Sequence, residues 1–345
     1  MQNPRVLNAL HLRPTDRTPV WFMRQAGRSL PEYRKVRERH SLLEICRIPE
    51  VCAEVTLQPV RRLGVDAAIL FADIMLPLIA LGLDLDIVEG VGPVVARPVR
   101  EANDVRALRP LEPEDVQFVA DDIHATLETL AGAVPLIGFS GAPFTLASYL
   151  VEGKPSRDFL MTKRLMYARP DIWEELMSHL GRIVAAYLRA QAEAGVQALQ
   201  IFDSWVGALS LDDYLRYVQP YTRMLFDGIA DLAVPVIHFG TGTSSLLEAM
   251  RDVGGDGIGI DWRIPLEVAW QRIGRDRAIQ GNLDPLVLLG PWEVVERESR
   301  AILDRAGGRP GHIFNVGHGI HPQTDPDQLQ RLVELVHGYE PVKGA

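Results

Sequence analysis

The sequence predicts an α/β protein, a single distorted (β/α)8 TIM barrel with insertions after the second and third strands. Three observations carry this. Eight short apolar runs recur along the chain, each run ends in a glycine-rich or polar tip, and amphipathic helical stretches fill the gaps. The runs are Pro19–Met23, Val65–Phe71, Val134–Phe139, Val196–Phe202, Val234–Phe239, Gly257–Ile260, Ala278–Gln280 and His312–Val316. Most are continuously apolar, the pattern of strands buried on both faces in a parallel sheet. An open doubly wound sheet would show a reversal of strand order, and none is legible.

The helices have their own signals. Pro31 opens one, with Tyr33, Val36, His40 and Leu43 at helical spacing. Asp171–Ala194 carries a stripe of Ile172, Leu176, Leu180, Val184 and Tyr187, and Gly195 stops it. Ser210, Ser245 and Thr324 each stand three residues before an acid, at capping-box spacing. Pro265 and Pro291 mark first helical turns. About sixty residues separate Phe71 from Val134, far more than a connection needs. Within them, residues 84–100 alternate loosely around Gly90, Gly92 and Pro93, as a β-hairpin does. Residues 141–170 form the second insertion. With no linker or low-complexity segment, one domain over residues 1–345 is expected, its ordered core about 4–340.

Composition narrows the function. The chain has 345 residues, 47% hydrophobic and 23% charged, which excludes disorder, collagen and coiled coil. With 36 basic and 45 acidic residues, its net charge of −9 excludes nucleic-acid binding through bulk charge. No apolar run approaches the roughly 18 residues of a membrane helix, and the N-terminus does not read as a secretory signal. Cys46 and Cys52 read as two reduced, packed thiols in a cytoplasmic protein.

In a barrel, chemistry sits at the carboxyl ends of the strands. The residues there include Arg24 to Arg28, Asp73, Ser140 to Phe144, Ser204-Trp205 and Gly317-His318-Gly319. Residues 24–39 hold six basic against two acidic side chains, a local excess in an acidic protein. Arg34, Lys35 and Arg39 read as a solvated helix face. Arg24 and Arg28 flank Gln25 and Gly27 at a strand exit, where a guanidinium can fork onto a carboxylate or phosphate. Asp73 is either a helix N-cap or a functional acid. Tyr149 reads as core or donor, and Ser204 as a loop cap or ligand contact. The glycines beside His318 let the backbone approach a ligand closely. His318 and His321 lack the carboxylate or thiol that would complete a metal set, so no metal is expected. The glycine-rich stretch 254–259 precedes a strand rather than following one, so it is not a dinucleotide site.

Taken together the tips resemble the uroporphyrinogen decarboxylase family of haem biosynthesis. The matching stretches are Pro19–Arg37 (PVWFMRQAGRSLPEYRKVR), Phe71–Leu76 (FADIML), Gly138–Gly153 (GFSGAPFTLASYLVEG), Gln200–Ser204 (QIFDS), Gln280–Pro285 (QGNLDP) and Asn315–Gly319 (NVGHG). They fall in the family's order over nearly the whole chain. The resemblance implies a single distorted barrel and a carboxy-lyase. Such an enzyme removes carbon dioxide from the four acetate arms of uroporphyrinogen III to give coproporphyrinogen III, with no cofactor. It implies substrate binding by Arg24, Gln25, Ala26, Gly27, Arg28, Asp73, Tyr149, Phe202, Ser204 and His318. It implies catalytic roles for Asp73, Arg28, Arg37, Tyr149 and His318; side-chain chemistry leaves the proton donor open among an arginine, His318 and Tyr149. A homodimer is also implied. Two positions depart: Ser29 stands where an aromatic is common, and Trp205 where some members have His. The alternatives are a zinc-dependent corrinoid methyltransferase on the same barrel and a non-catalytic tetrapyrrole-binding protein.

Overall fold

The computed structural model describes residues 1–88 and 90–340. Among the described residues there are nine strands: β1 (Ala68–Ile69), β2 (Leu85–Val88), β3 (Gly92–Val95), β4 (Leu136–Gly141), β5 (Ala198–Asp203), β6 (Val236–Gly240), β7 (Gly257–Gly259), β8 (Ala278–Gln280) and β9 (His312–Ile313). Seven of them form one curled sheet in the order β1-β4-β5-β6-β7-β8-β9, with every neighbouring pair parallel. Helices connect successive strands, as parallel pairing requires. The predicted runs overlap these strands, with ends shifted by a few residues. Among the described residues no helix is long and apolar enough to cross a membrane.

The first predicted strand is a correction. Pro19–Met23 forms no strand; a single parallel bridge joins Val20 to Phe314. On one side the Phe314 N–H donates to Pro19 C=O (2.8 Å) and the Trp21 N–H to Phe314 C=O (3.3 Å). On the other, the Asp66 N–H donates to Val20 C=O, but the Val20 N–H goes to the Asp66 carboxylate (both 2.8 Å). A side chain replaces the backbone acceptor, so the ladder is not propagated. Trp21 still reaches the sheet interior, where its indole donates to Gln280 Oε1, and Gln280 donates to Gln200 Oε1 (both 3.0 Å).

Asp66 is wholly buried and ties distant pieces together. Its carboxylate takes Asn3 Nδ2 (2.8 Å), Arg5 Nη1 (2.9 Å), the Val20 N–H and His337 Nε2 (2.7 Å). Burial pushes its pKa up, but His337, Asn3 and the Val20 N–H together hold it below the ordinary carboxylate range.

Other predicted elements shift for local reasons. The helix from Pro31 stops at Arg37, and a second one spans Leu42–Ile45. Ser41 starts it with a reciprocal capping box: its hydroxyl accepts from the Glu44 N–H and its own N–H goes to Glu44. Ser210 caps Leu211–Tyr217 as expected. Ser245 does not cap, because the next helix begins at Leu247. Asp325 rather than Thr324 caps Pro326–His337, since Pro326 takes the first helical position. The long helix is Pro170–Glu193, and Gly195 follows at φ 107°. Cys52 lies inside the helix Pro49–Leu63, whereas Cys46 caps Leu42–Ile45; both are buried and free.

The predicted hairpin is β2–β3, antiparallel. It docks on the helix Pro143–Glu152, with Val95 N–H donating to Gly153 C=O (2.8 Å) and Val99 N–H to Leu150 C=O (2.9 Å). That insertion therefore braces the helix that carries Tyr149.

Asp66→Ala leaves several buried donors without an acceptor, so it is expected to lower unfolding free energy by about 3–5 kcal/mol in urea titration. Because the folded carboxyl titrates below its unfolded value, the Asp66 contribution is present at neutral pH and lost as pH falls through its depressed pKa. An unchanged urea midpoint would contradict this.

Candidate active site

The strand exits open on one cavity lined by aromatic, apolar and charged side chains. One wall is aromatic. Phe139, Phe202 and Phe239 come from adjacent strands β4, β5 and β6 and meet edge to face, with ring centroids 5.5 and 5.8 Å apart. Parallel register sets Phe202 directly beside Phe239. Met23, Ile69, Ile74 and Pro93 of the hairpin complete the apolar lining. The polar groups on the walls are Arg24, Asp73, Tyr149, Ser204 and His318. Five polar residues expected from sequence are thus brought together from loops up to almost 300 positions apart.

The Arg24–Arg28 turn divides its labour. Arg24 faces the cavity and Ala26 lines it. Arg24 sits at φ 61°, a left-handed conformation uncommon for a residue with a Cβ and held here by its surroundings. Gln25 does not face the cavity, which corrects its expected role. It is wholly buried; its Oε1 accepts from the Phe22 N–H (3.0 Å) and its Nε2 donates to Ala67 C=O (2.9 Å). Gln25 therefore fastens the turn to β1. Gly27 is a turn residue too, because a Cβ there would lie 2.9 Å from Arg24 C=O.

Arg28 is exposed on the turn and Arg37 donates through Nη1 to His40 C=O (2.9 Å); neither is among the residues lining the cavity. Arg37 ends the helix Pro31–Arg37, whereas Arg28 stands on the turn ahead of it. Ser29 is buried away from the cavity.

Asp73 follows β1 and is both a local cap and a cavity group. Its Oδ1 accepts from the Met75 N–H (2.9 Å). Burial raises its pKa, opposed by that hydrogen bond and by the Arg24 guanidinium. Behind it, Phe71 is held from the helix Pro49–Leu63: its N–H donates to Thr56 Oγ1 (3.0 Å) and its C=O accepts from Cys52 Sγ (3.3 Å). Burial pushes both thiols up, Cys52 well above its ordinary value.

His318 is gripped between two loops. A Cβ at Gly317 would lie 2.7 Å from the Trp262 nitrogen, and one at Gly319 would overlap the Arg24 side chain. The glycines give this loop close approach to Trp262 and Arg24, and Gly319 also lines the cavity. Burial lowers the His318 pKa to about 4, reinforced by Arg24 and Arg263. The shift favours the neutral imidazole over the imidazolium. Beside it Asp261, wholly buried, accepts from the Gly242 N–H (2.7 Å) and pairs with Arg263. Sequence reading gave no site role to Asp261, Phe139 and Phe239, and took Trp205 only as a departure from the family pattern. The phenylalanines had a signal, since each ends an apolar run.

No cluster of three His, Cys, Asp or Glu side chains suited to a metal occurs among the described residues. His238 lies buried in β6, 3.7 Å from Asp203, and the cysteines sit against the outside of β1.

An open cavity at the carboxyl ends of a parallel sheet, holding one buried acid and one guanidinium, marks the class: an α/β enzyme acting on an anionic small molecule. The comparisons make the class specific. The profile of the family described as uroporphyrinogen decarboxylase (URO-D) matches residues 1–339. Uroporphyrinogen decarboxylase from Salinispora tropica is 56% identical over 331 residues, covering 96% of this chain and 89% of that protein. The enzyme of that name from Sorangium cellulosum is 55% identical over 334 residues, covering 96% and 95%. Among solved structures, a methyltransferase from Methanosarcina mazei superposes with a TM-score of 0.79 at 19% identity, covering 97% of each chain, a likeness of fold. The chain belongs to the uroporphyrinogen decarboxylase family.

Gly319→Ala places a methyl group against the Arg24 side chain. If Arg24 holds a substrate carboxylate, a charge-assisted bond of about 1.5–3 kcal/mol is weakened, so KM is expected to rise roughly tenfold or more. Steady-state kinetics with an unchanged KM would contradict that placement.

Proposed function

We propose that this chain is a carboxy-lyase that takes carbon dioxide from the four acetate arms of uroporphyrinogen III to give coproporphyrinogen III. The observation that supports this reading of the site is that Asp73 and Arg24 line one aromatic-walled cavity. Family membership across residues 1–339 supports the reaction.

Direct loss of carbon dioxide from an acetate would leave a carbanion, with a very high barrier. Protonating a pyrrole carbon next to nitrogen turns the ring into a cationic electron sink. The carbon–carbon bond then breaks and its electron pair flows into the ring. A proton adds to the exposed methylene to give a methyl group, and the ring carbon releases its proton. Each arm thus consumes one net proton and releases one carbon dioxide.

In this proposal Asp73 accepts pyrrole N–H bonds and stabilises the ring cation; its own desolvation makes that stabilisation strong. Arg24 holds a carboxylate arm, Tyr149 and Ser204 supply neutral hydrogen bonds, and His318 contributes a neutral imidazole. Phe139, Phe202 and Phe239 pack against the macrocycle and exclude water. Arg28 takes an outer arm at the mouth. The reading extends to a single barrel domain, with Pro19–Met23 in the eighth strand position. It also extends to a homodimer, supported by exposed Leu160, Tyr167, Leu211 and Leu215 on two neighbouring helices, and to a cytoplasmic location, supported by the free cysteines.

The direct test is anaerobic incubation with uroporphyrinogen, followed by oxidation and separation of porphyrins by carboxyl number. Four-carboxyl product is expected; unchanged eight-carboxyl substrate would refute the activity. Asp73→Asn is expected to lose at least about a hundredfold in kcat with a smaller change in KM. Because the active form is the carboxylate and its pKa is raised, the acid limb of the wild-type rate profile is expected above the usual value of about 3.9. The same substitution relieves a buried charge and is expected to raise the melting temperature at neutral pH. Normal turnover in Asp73→Asn would remove the assigned role.

A further inference from the structure

Arg263 stands in the loop that leaves β7, two residues after the buried Asp261, with its side chain 51% exposed. Its own N–H donates to Asp261 Oδ1 (3.1 Å), and its Nη1 pairs with Asp261 Oδ2. The same Oδ2 accepts from the Gly242 N–H beyond β6 (2.7 Å). The guanidinium lies over the Trp262 ring, 4.3 Å from its centroid. Asn282, buried beyond β8, donates through Nδ2 to Asp261 C=O (2.8 Å) and to Ile264 C=O (2.7 Å). The main chain is therefore pinned on both sides of Arg263.

This loop packs on the one that carries His318. A Cβ at Gly317 would lie 3.0 Å from Asp261 Cα and 2.9 Å from the Trp262 ring. His318 and Gly319 line the cavity, and Arg263 stands on the rim beside them, outside the wall itself. Burial lowers the His318 pKa, and Arg24 and Arg263 add to the shift, so both guanidinium groups act on one cavity residue.

One edge of the Arg263 guanidinium is engaged and the other is open. Asp261 takes Nη1, whereas Nε and Nη2 have no partner among the described residues. Those two nitrogens form the edge that forks onto a carboxylate elsewhere in this chain. Arg5 uses it on Asp16 (2.6 and 2.7 Å) and Arg169 on Asp171 (3.0 and 2.7 Å). Arg24 is the one guanidinium among the lining residues, whereas an eight-carboxyl macrocycle also presents carboxylates to the rim. A fork already fixed by its loop loses little freedom on binding.

We propose that Arg263 is a substrate-binding residue at the cavity mouth, whose Nε–Nη2 edge takes a carboxylate arm of the macrocycle as a bidentate pair. This rests on the decarboxylase reading of the cavity.

The test is anaerobic steady-state kinetics of the full chain with uroporphyrinogen, using R263Q, which removes the charge, and R263K, which keeps the charge but not the fork. Thermal melts accompany each protein. R263Q is expected to raise KM about tenfold with kcat changed less than about twofold, and R263K to raise KM about threefold. The gap in KM between wild type and R263Q should narrow as salt rises from about 0.05 to 0.5 M, because the contact is half exposed. An unchanged KM in R263Q would overturn the proposal, as would a loss confined to kcat. A gap independent of salt would mark a structural effect and overturn it too. Wild-type KM in R263K would overturn the bidentate pair, and R263K alone decides if R263Q fails to fold. No turnover by the wild-type chain would instead remove the decarboxylase reading, and the role of Arg263 with it.

Discussion

A carboxylate half-buried in a mostly apolar cavity, with a guanidinium near enough to offset part of its desolvation, is the constraint around which this molecule is arranged. Asp73 is unfavourable where it sits: burial raises its pKa, and one backbone N–H and Arg24 offset only part of that. Such an arrangement reduces stability and favours a transition state that develops positive charge. Much of the surrounding structure keeps the two charges fixed relative to each other.

The fold does this from behind the site. Gln25 and Gly27 shape the turn that projects Arg24, and Gly319 leaves room for its side chain. Asp66 joins the N-terminal segment to the last helix and to Val20, which stabilises the approach to the same turn. Thr56 and Cys52 hold the main chain of Phe71, two residues before Asp73. Apart from Gly319, these residues do not line the cavity; they reduce the freedom of those that do.

Legibility in the sequence followed the range of the forces involved. The parallel strands could be read because burial on both faces demands continuous apolar runs, and seven of the eight runs form the sheet. Pro19–Met23 could not be read correctly because the deciding partner is the Asp66 side chain, about 46 positions away. Thr324 lost its capping role to Asp325 through the adjacent Pro326, a local rule that was available. The Phe139–Phe202–Phe239 wall depends on register between strands distant in sequence. The neutral state of His318 was equally hidden, since it arises from burial and from guanidinium groups on two other loops. Motifs located Arg24, Asp73, Tyr149, Ser204 and His318, but did not separate them from the supporting Gln25 or the outlying Arg37.

The most direct measurement is a crystal structure of the protein with coproporphyrinogen bound under anaerobic conditions. The account predicts pyrrole nitrogens within about 2.7–3.2 Å of the Asp73 carboxylate, a side-chain carboxylate on Arg24 and the macrocycle against Phe202. A macrocycle seated elsewhere, with Asp73 making no contact to its nitrogens, would contradict it.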